Sequence, residues 1–242
     1  MTSRLVPILA AVLGLAGCQK TSDAAFGERV HAYLRTHPEV VAESLQILQT
    51  KAQLEKTKSA SALLNQHRQE LERDPRDFVA NPGGKITVVE FYDYRCGYCK
   101  LSAPEVLKLI DENPDVRFVF KNFPIFGGAS NLAAQVSMTP QGKAKGLEIY
   151  KAFMTDKALD EAAVSRHLAD LGLNLSDIAK AASAPEVRQH IEDTKHLADA
   201  LKIEGTPAFI VGDILIPGAD MNALRQAIAE AKIGPLKTPS KA

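Results

Sequence analysis

The chain has 242 residues, of which 45% are hydrophobic and 24% charged, a composition typical of globular proteins. Basic and acidic residues each total 29, so no net charge draws in nucleic acid or acidic substrates, and we expect no nucleic-acid partner. Three cysteines is an odd number. One of them therefore needs its own explanation, which the N-terminus supplies.

The N-terminus has the pattern of an export signal. A start with one basic residue, Arg4, leads into the apolar run Leu5–Leu15, which at ~1.5 Å per residue is too short to span a ~30 Å hydrocarbon core. The run ends in Leu-Ala-Gly-Cys18, which resembles a bacterial lipoprotein signal. The resemblance implies that residues 1–17 are removed and Cys18 is lipidated. The alternative is an ordinary cleaved signal with a chance cysteine.

Export determines the compartment in which the other two cysteines react. We expect the protein in the periplasm or cell envelope, anchored by Cys18, and Gln19 favours the outer membrane over the inner one. With Cys18 lipidated, only Cys96 and Cys99 remain as thiols. An exported, oxidising compartment is where disulfide chemistry takes place.

The region before the catalytic part is predicted to be helical. Residues 18–25 are small and polar and predict a tether, and residues 26–74 predict helices with a break at His37-Pro38. After the break, apolar residues recur in the 4-3-4 spacing of a coiled coil: Val41, Leu45, Leu48 and Ala52. One helix cannot bury so narrow a stripe alone. We predict that residues 26–73 form a homo-oligomer; the alternative is that they pack on the catalytic domain.

A strand followed by two cysteines is the centre of the chain. Ile86–Tyr92 is almost continuously apolar, which predicts a central strand buried on both faces. Cys96-Gly97-Tyr98-Cys99 follows at the start of a predicted helix, where unpaired N–H groups and the helix dipole stabilise a thiolate. Cys96 should therefore attack. Cys99, one turn further in and more buried, should resolve the mixed disulfide.

Metal binding is the main rival for a Cys-X-X-Cys pair. Structural zinc needs four ligands, and the six histidines form no tight pair with another ligand, so we expect no metal site and no cofactor. Two thiols suit Cu(I), which leaves copper binding as an alternative.

Glu90 is an acid within the apolar strand. On an edge it would be solvated. On a central strand it would lie beneath the cysteines with a raised pKa and would move the proton of Cys99.

The segment Phe91–Lys100 resembles the active site of the DsbA family of thioredoxin-fold oxidoreductases, and especially its ScsC-like and lipid-anchored members. The resemblance covers residues 75–233. It implies an α/β thioredoxin fold with helices inserted at about residues 128–202, a redox-active disulfide between Cys96 and Cys99, and a proton shuttle at the position of Glu90.

A second signature is Thr206-Pro207, which precedes an apolar strand. In thioredoxin folds such a pair marks the cis-proline loop that faces the cysteines. The resemblance implies that this pair, with Gly97 and Tyr98, contacts the substrate. Residues 234–242 predict a frayed tail.

Cys-Gly-Tyr-Cys with threonine before the proline resembles the disulfide isomerases of the family more than its strong oxidases. We therefore predict an enzyme of thiol-disulfide exchange, an isomerase or reductase of exported cysteine-containing proteins, with a membrane redox partner that re-reduces or reoxidises it. One alternative is a DsbA-like oxidase that introduces disulfides. Another, from a different class, is a periplasmic chaperone or copper-binding lipoprotein.

Overall fold

A computed structural model describes residues 23–234. The predicted signal, Cys18 and the predicted tail from residue 235 onward lie outside the described residues. The chain divides into two compact units between Leu54 and Glu55. Among residues 23–234, no helix combines the length and the apolarity needed to cross a membrane.

The first unit is helical. It contains α1 (Asp23–Thr36) and the first part of α2 (Pro38–Gln66), with the predicted break at His37. None of its described residues is buried. Most of its large apolar side chains are exposed: Phe26, Val30, Tyr33, Val40, Val41, Leu45, Ile47, Leu48 and Leu54.

The second unit is built on a five-stranded sheet in the order β1-β3-β2-β4-β5. The strands are β1 (Phe78–Ala80), β2 (Ile86–Tyr92), β3 (Val116–Asn122), β4 (Ala208–Val211) and β5 (Ile214–Pro217). The central pair, β2 and β3, is parallel, whereas the other pairs are antiparallel. β1 is not predicted by the sequence, because three residues are too few to show a periodic pattern.

Helices connect and cover these strands. α4 (Gly97–Glu112) joins β2 to β3, and α11 (Met221–Ile233) follows β5. Six helices lie in sequence between β3 and β4: α5 (Gly128–Met138), α6 (Pro140–Ala144), α7 (Gly146–Thr155), α8 (Glu161–Asp170), α9 (Leu175–Ala182) and α10 (Pro185–Ala200). They form the helical insertion.

Alternate strand residues enter two separate parts of the core, as the pleat of a sheet requires. Val88 and Tyr92 join a cluster that includes residues of α4, α7 and α11. Val89 and Phe91 join a second cluster, which includes Leu64 of α2 and Leu71 of α3 (Arg68–Arg73). The last turns of the predicted oligomerisation region are therefore part of the core of the second unit.

A buried cluster of charged groups links several elements beside that second core. Lys121 Nζ on β3 lies 2.6 Å from Asp77 Oδ2 and donates to the carbonyl of Glu70 at 2.6 Å. His190 Nε2 on α10 lies 3.0 Å from Asp77 Oδ1. Because the buried Asp77 contacts both Lys121 and His190, the cluster joins β3 and α10 to the chain just before β1.

Candidate active site

The two cysteines lie where β2 ends and α4 begins. Cys96 is the N-cap of α4, with an extended backbone at φ −68° and ψ 122°. Its carbonyl accepts from the N–H of Lys100 at 3.0 Å, which closes the first turn. Both cysteines are buried and are not bridged in this structure.

The two sulfurs have opposite acidities. The pKa of Cys96 is lowered to about 5, chiefly because the Cys99 thiol donates a hydrogen bond to its sulfur, with smaller contributions from Thr206 and the N–H groups of Cys99 and Tyr98. Burial opposes this shift. The pKa of Cys99 is raised by its burial, by its hydrogen bond to Cys96 and by the charge of Glu90. At neutral pH Cys96 is thus a thiolate and Cys99 keeps its proton.

Glu90 lies on the central strand β2 and is only 2% exposed, so it is not on a solvated edge. Burial raises the pKa of Glu90 to about 8, and a hydrogen bond from Tyr150 opposes the shift. The Tyr150 hydroxyl donates to both carboxylate oxygens, at 3.0 and 3.1 Å. Glu90 is therefore a buried acid that changes its charge close to neutral pH.

Tyr150 is a site residue that sequence reasoning missed. It comes from α7 of the helical insertion, and its ring packs against Tyr92 at 5.5 Å and Phe120 at 5.0 Å. Burial and the charge of Glu90 keep its pKa well above the ordinary tyrosine value, so its hydroxyl stays a donor. In the sequence it is one aromatic among the apolar residues of a helix, a pattern that predicts only core packing.

Asp93 is a second residue that was missed. Its buried carboxylate accepts hydrogen bonds from the N–H groups of Arg95, Ile125 and Phe126 and from the Ser130 hydroxyl, at 2.7 to 3.1 Å. It thereby ties the turn before Cys96 to the loop after β3. An aspartate two residues before the Arg95 N–H is a recognisable turn signal, but the other partners lie more than thirty residues away.

The loop before β4 faces the cysteines. The peptide bond between Thr206 and Pro207 is cis. The Cys96 sulfur lies 3.1 Å from the carbonyl oxygen of Thr206, which accepts a hydrogen bond from Cys96 when the thiol is protonated. Antiparallel pairing of Phe91 with Ala208 holds this loop beside the end of β2.

Gly97 and Tyr98 lie on the surface between the two cysteines. Tyr98 is 67% exposed, and a Cβ added at Gly97 would meet no atom within 4 Å. Among residues 23–234, no three or more histidine, cysteine, aspartate or glutamate side chains are grouped so as to hold a metal ion.

Residues 87–229, more than half of the chain, match the family model of the DSBA-like thioredoxin domain. The chain belongs to this family. Residues 23–55 also match the model of the copper resistance protein ScsC N-terminal domain. Together the two matches identify a DsbA-family, ScsC-like protein and confirm the predicted family.

Individual relatives support the same family membership. The thiol:disulfide interchange protein DsbA of Azotobacter vinelandii is 30% identical over 163 residues, 62% of this chain and 74% of that protein. The crystal structure of Salmonella enterica Typhimurium BcfH is 33% identical, with a TM-score of 0.69 over 86% of this chain and 95% of that chain. Proteus mirabilis ScsC in a transitional conformation is 28% identical, with a TM-score of 0.64 over 87% and 99%.

This DsbA-family chain has the predicted α/β thioredoxin fold with a helical insertion and a helical N-terminal segment. It is a thiol:disulfide oxidoreductase, as predicted. The structure brings Cys96 together with Cys99 and the Thr206-Pro207 loop, and it places Glu90 close enough for its charge to affect Cys99. Cys18, the predicted lipidation site, lies outside the described residues.

Proposed function

We propose that the protein is a disulfide isomerase or reductase of exported cysteine-containing proteins, with Cys96 as the nucleophile and Cys99 as the resolving thiol. The opposite pKa shifts of these two thiols carry the proposal. A thiolate at neutral pH attacks a disulfide, whereas a protonated neighbour waits until the mixed disulfide has formed. The Gly97-Tyr98 dipeptide and Thr206 before the cis proline support the isomerase direction.

The reaction proceeds in two exchanges. The Cys96 thiolate attacks one sulfur of a substrate disulfide, the substrate S–S bond breaks, and one substrate thiolate is released. In isomerisation that thiolate attacks another disulfide of the substrate and Cys96 is finally displaced. In reduction, Cys99 loses its proton to the Glu90 carboxylate and attacks the Cys96 sulfur, which releases the second substrate thiolate and leaves a Cys96–Cys99 disulfide.

The loop at Thr206 and Pro207, with Gly97 and Tyr98, is the proposed substrate-contacting wall. The exposed backbone of such a loop pairs with an extended polypeptide strand. The 3.1 Å contact between the Cys96 sulfur and the Thr206 carbonyl supports this role, because it places the wall directly beside the nucleophile.

The proposed setting is the periplasm, with cleavage after residue 17, a lipid anchor at Cys18 in the outer membrane, and a membrane redox partner that re-reduces the pair. The Leu-Ala-Gly-Cys18 sequence supports the anchor. We also propose that the N-terminal helices assemble copies of the chain. The exposed apolar side chains of the first unit support assembly, since such residues are normally covered.

Refolding of a substrate with scrambled disulfides tests the proposal. The wild-type protein should restore the native disulfides, whereas Cys96→Ala should not, and equal rates for the two would refute the catalytic role. The redox state of Cys96 and Cys99 in cells shows whether the protein reduces or oxidises its substrates. A mostly reduced Cys96 and Cys99 pair supports an isomerase or reductase.

A dithiol oxidase is the second candidate, and the low pKa of Cys96 favours it. A stabilised thiolate makes the reduced enzyme more stable, and so makes the Cys96–Cys99 disulfide a stronger oxidant. A mostly oxidised pair in cells, with disulfides appearing in a reduced substrate, would select this function.

A further inference from the structure

A groove of about 620 Å³ lies beside the active site, between α4 and α7. It begins at Gly97, the residue next to the nucleophile Cys96. Its apolar lining consists of Leu101, Ala103, Pro104, Leu107 and Met154. The volume lies within the ~300–1,000 Å³ typical of ligand sites, which are also mostly apolar.

The groove has a buried floor and an exposed wall. Ala103 and Met154 are buried, whereas Leu101 is 74% exposed even though it lies in the first turns of a well-packed helix. An apolar side chain from a partner would cover Leu101 and remove it from water. Burial of this kind stabilises a complex by roughly 25 cal/mol per Å² of apolar surface.

The polar residues that line the groove are Lys100, Lys151, Thr155 and Lys157, and no acidic residue lines it. Lys100 Nζ is engaged, because it donates to the carbonyls of Phe153 and Asp156. Lys151 and Lys157 are exposed and form no ion pair with any of residues 23–234.

Asp156, which follows Thr155 in the sequence, is one acid close to this rim. The carboxylate of Asp156 is occupied by His167 Nε2 at 2.8 Å and by the N–H of Ala158 at 2.9 Å. The groove itself is lined by three lysines and no acid, so its rim is positive while its walls are apolar. Glu148, one turn before Lys151, lines a neighbouring hollow that Lys151 and Asp156 also line, so of the two exposed lysines Lys157 is the one whose charge belongs to this groove alone.

We propose that this groove is a specificity site for the polypeptide substrate, which binds an apolar side chain of an extended segment with a carboxylate next to it. The proposal rests on the proposed function, since the groove begins at Gly97 and the segment must be continuous with the cysteine that exchanges with Cys96. Charge complementarity with Lys151 and Lys157 selects acidic over basic neighbours.

Peptide disulfides provide the test. Each peptide carries one disulfide-bonded cysteine and a leucine a few residues away, flanked by glutamate, glutamine or lysine. With the full-length protein, kcat/KM should fall from glutamate to glutamine to lysine, by about tenfold over the series at low salt, and the difference should shrink at high salt.

The deciding variant reverses the rim charge: Lys151→Glu with Lys157→Glu. The readout is the ratio of kcat/KM for the glutamate and lysine peptides within one variant, so a general change in Cys96 reactivity cancels. The ratio should fall below one. A matched control, Arg166→Glu with Lys180→Glu on the exposed faces of α8 and α9, should keep the wild-type ratio.

Two results overturn the proposal. One is a ratio that charge reversal leaves unchanged. The other is a change in particle mass on charge reversal, which would assign the groove to a second copy of the chain. If the wild-type protein fails even with an uncharged small disulfide such as 2-hydroxyethyl disulfide, then the proposed function itself is wrong.

Discussion

At the residue scale, the acidity of the site is decided by contacts between distant segments. The sequence identifies the strand that contains Glu90. The pKa of Glu90, however, depends on burial and on the hydroxyl of Tyr150, which lies sixty residues further along the chain. Two predictions separate these influences.

Replacing Glu90 with glutamine should stabilise the protein in a pH-dependent way. The folded-state pKa of about 8 lies above the unfolded value near 4.3, so between these pH values only the folded state holds the proton. The stability of the wild type therefore falls as pH rises through this window. The Glu90→Gln variant has no titrating group here and does not lose stability in this window. It should be more stable than the wild type by about 2–4 kcal/mol at pH 8.5, and nearly as stable as the wild type at pH 4.5.

Urea unfolding of both proteins at the two pH values measures this difference. The second exchange step, release of substrate from the mixed disulfide, should at the same time be slower in Glu90→Gln, because the carboxylate no longer accepts the proton of Cys99. An equal stability gain at both pH values would show that Glu90 is not a buried acid.

Replacing Tyr150 with phenylalanine should raise the pKa of Glu90 further, because the hydroxyl stabilises the carboxylate form. A hydrogen bond to a charged group is worth ~1.5–3 kcal/mol, which corresponds to a shift of about one to two pH units. The pH dependence of the second exchange step should move upward by that amount.

Tyr92→Phe is the control for this experiment, since the Tyr92 hydroxyl donates to the Tyr94 hydroxyl at 3.1 Å and not to Glu90. Its pH profile should stay close to that of the wild type. If both variants moved the profile equally, general loosening of the aromatic cluster would be the cause instead.

At the element scale, local patterns predict the parts of the fold that local chemistry decides. The apolar run of β2 and the break at His37-Pro38 are found where the sequence predicts them. β1 is different, because its three residues are a strand only through pairing with β3. Tyr150 and Asp93 were missed for the same reason, since tertiary contacts give each its role.

The buried cluster around Asp77 leads to a prediction at this scale. Lys121→Met removes the cation 2.6 Å from the buried Asp77 carboxylate and leaves the carbonyl of Glu70 without its donor. Breaking a buried ion pair on one side costs about 3–5 kcal/mol. Chemical denaturation should show this loss, whereas Lys108→Met, on the exposed face of α4, should cost less than about 1 kcal/mol. A small loss of stability in both variants would mean that the Asp77 carboxylate is solvated rather than buried against Lys121.

At the scale of the whole molecule, the position of the chain division matters for truncation. Removing residues before Glu55 should leave a folded, monomeric oxidoreductase that still reduces small disulfides but loses isomerase activity. Removing residues before Asp74 also deletes Leu64 and Leu71, which are buried in the core. At ~1.5–3 kcal/mol for each buried leucine, this second chain should be several kcal/mol less stable.

Thermal unfolding and sedimentation of the two truncated chains check these expectations. An assembled particle formed by the chain that begins at Glu55 would contradict the assembly role of the N-terminal helices. Equal stability of the two chains would contradict the contribution of α2 and α3 to the core.

The hydrogen bond from Tyr150 to Glu90 has a consequence for protein engineering. The nucleophile and the acid belong to the sheet and its first helix, whereas the hydroxyl that steadies the acid belongs to the inserted helices. The two parts are therefore not interchangeable modules. A chimera that received β2 and α4 of this chain but the insertion of another relative would carry the nucleophile and Glu90 without the hydroxyl that stabilises the Glu90 carboxylate. Only transplanting both parts together would transfer the full reactivity.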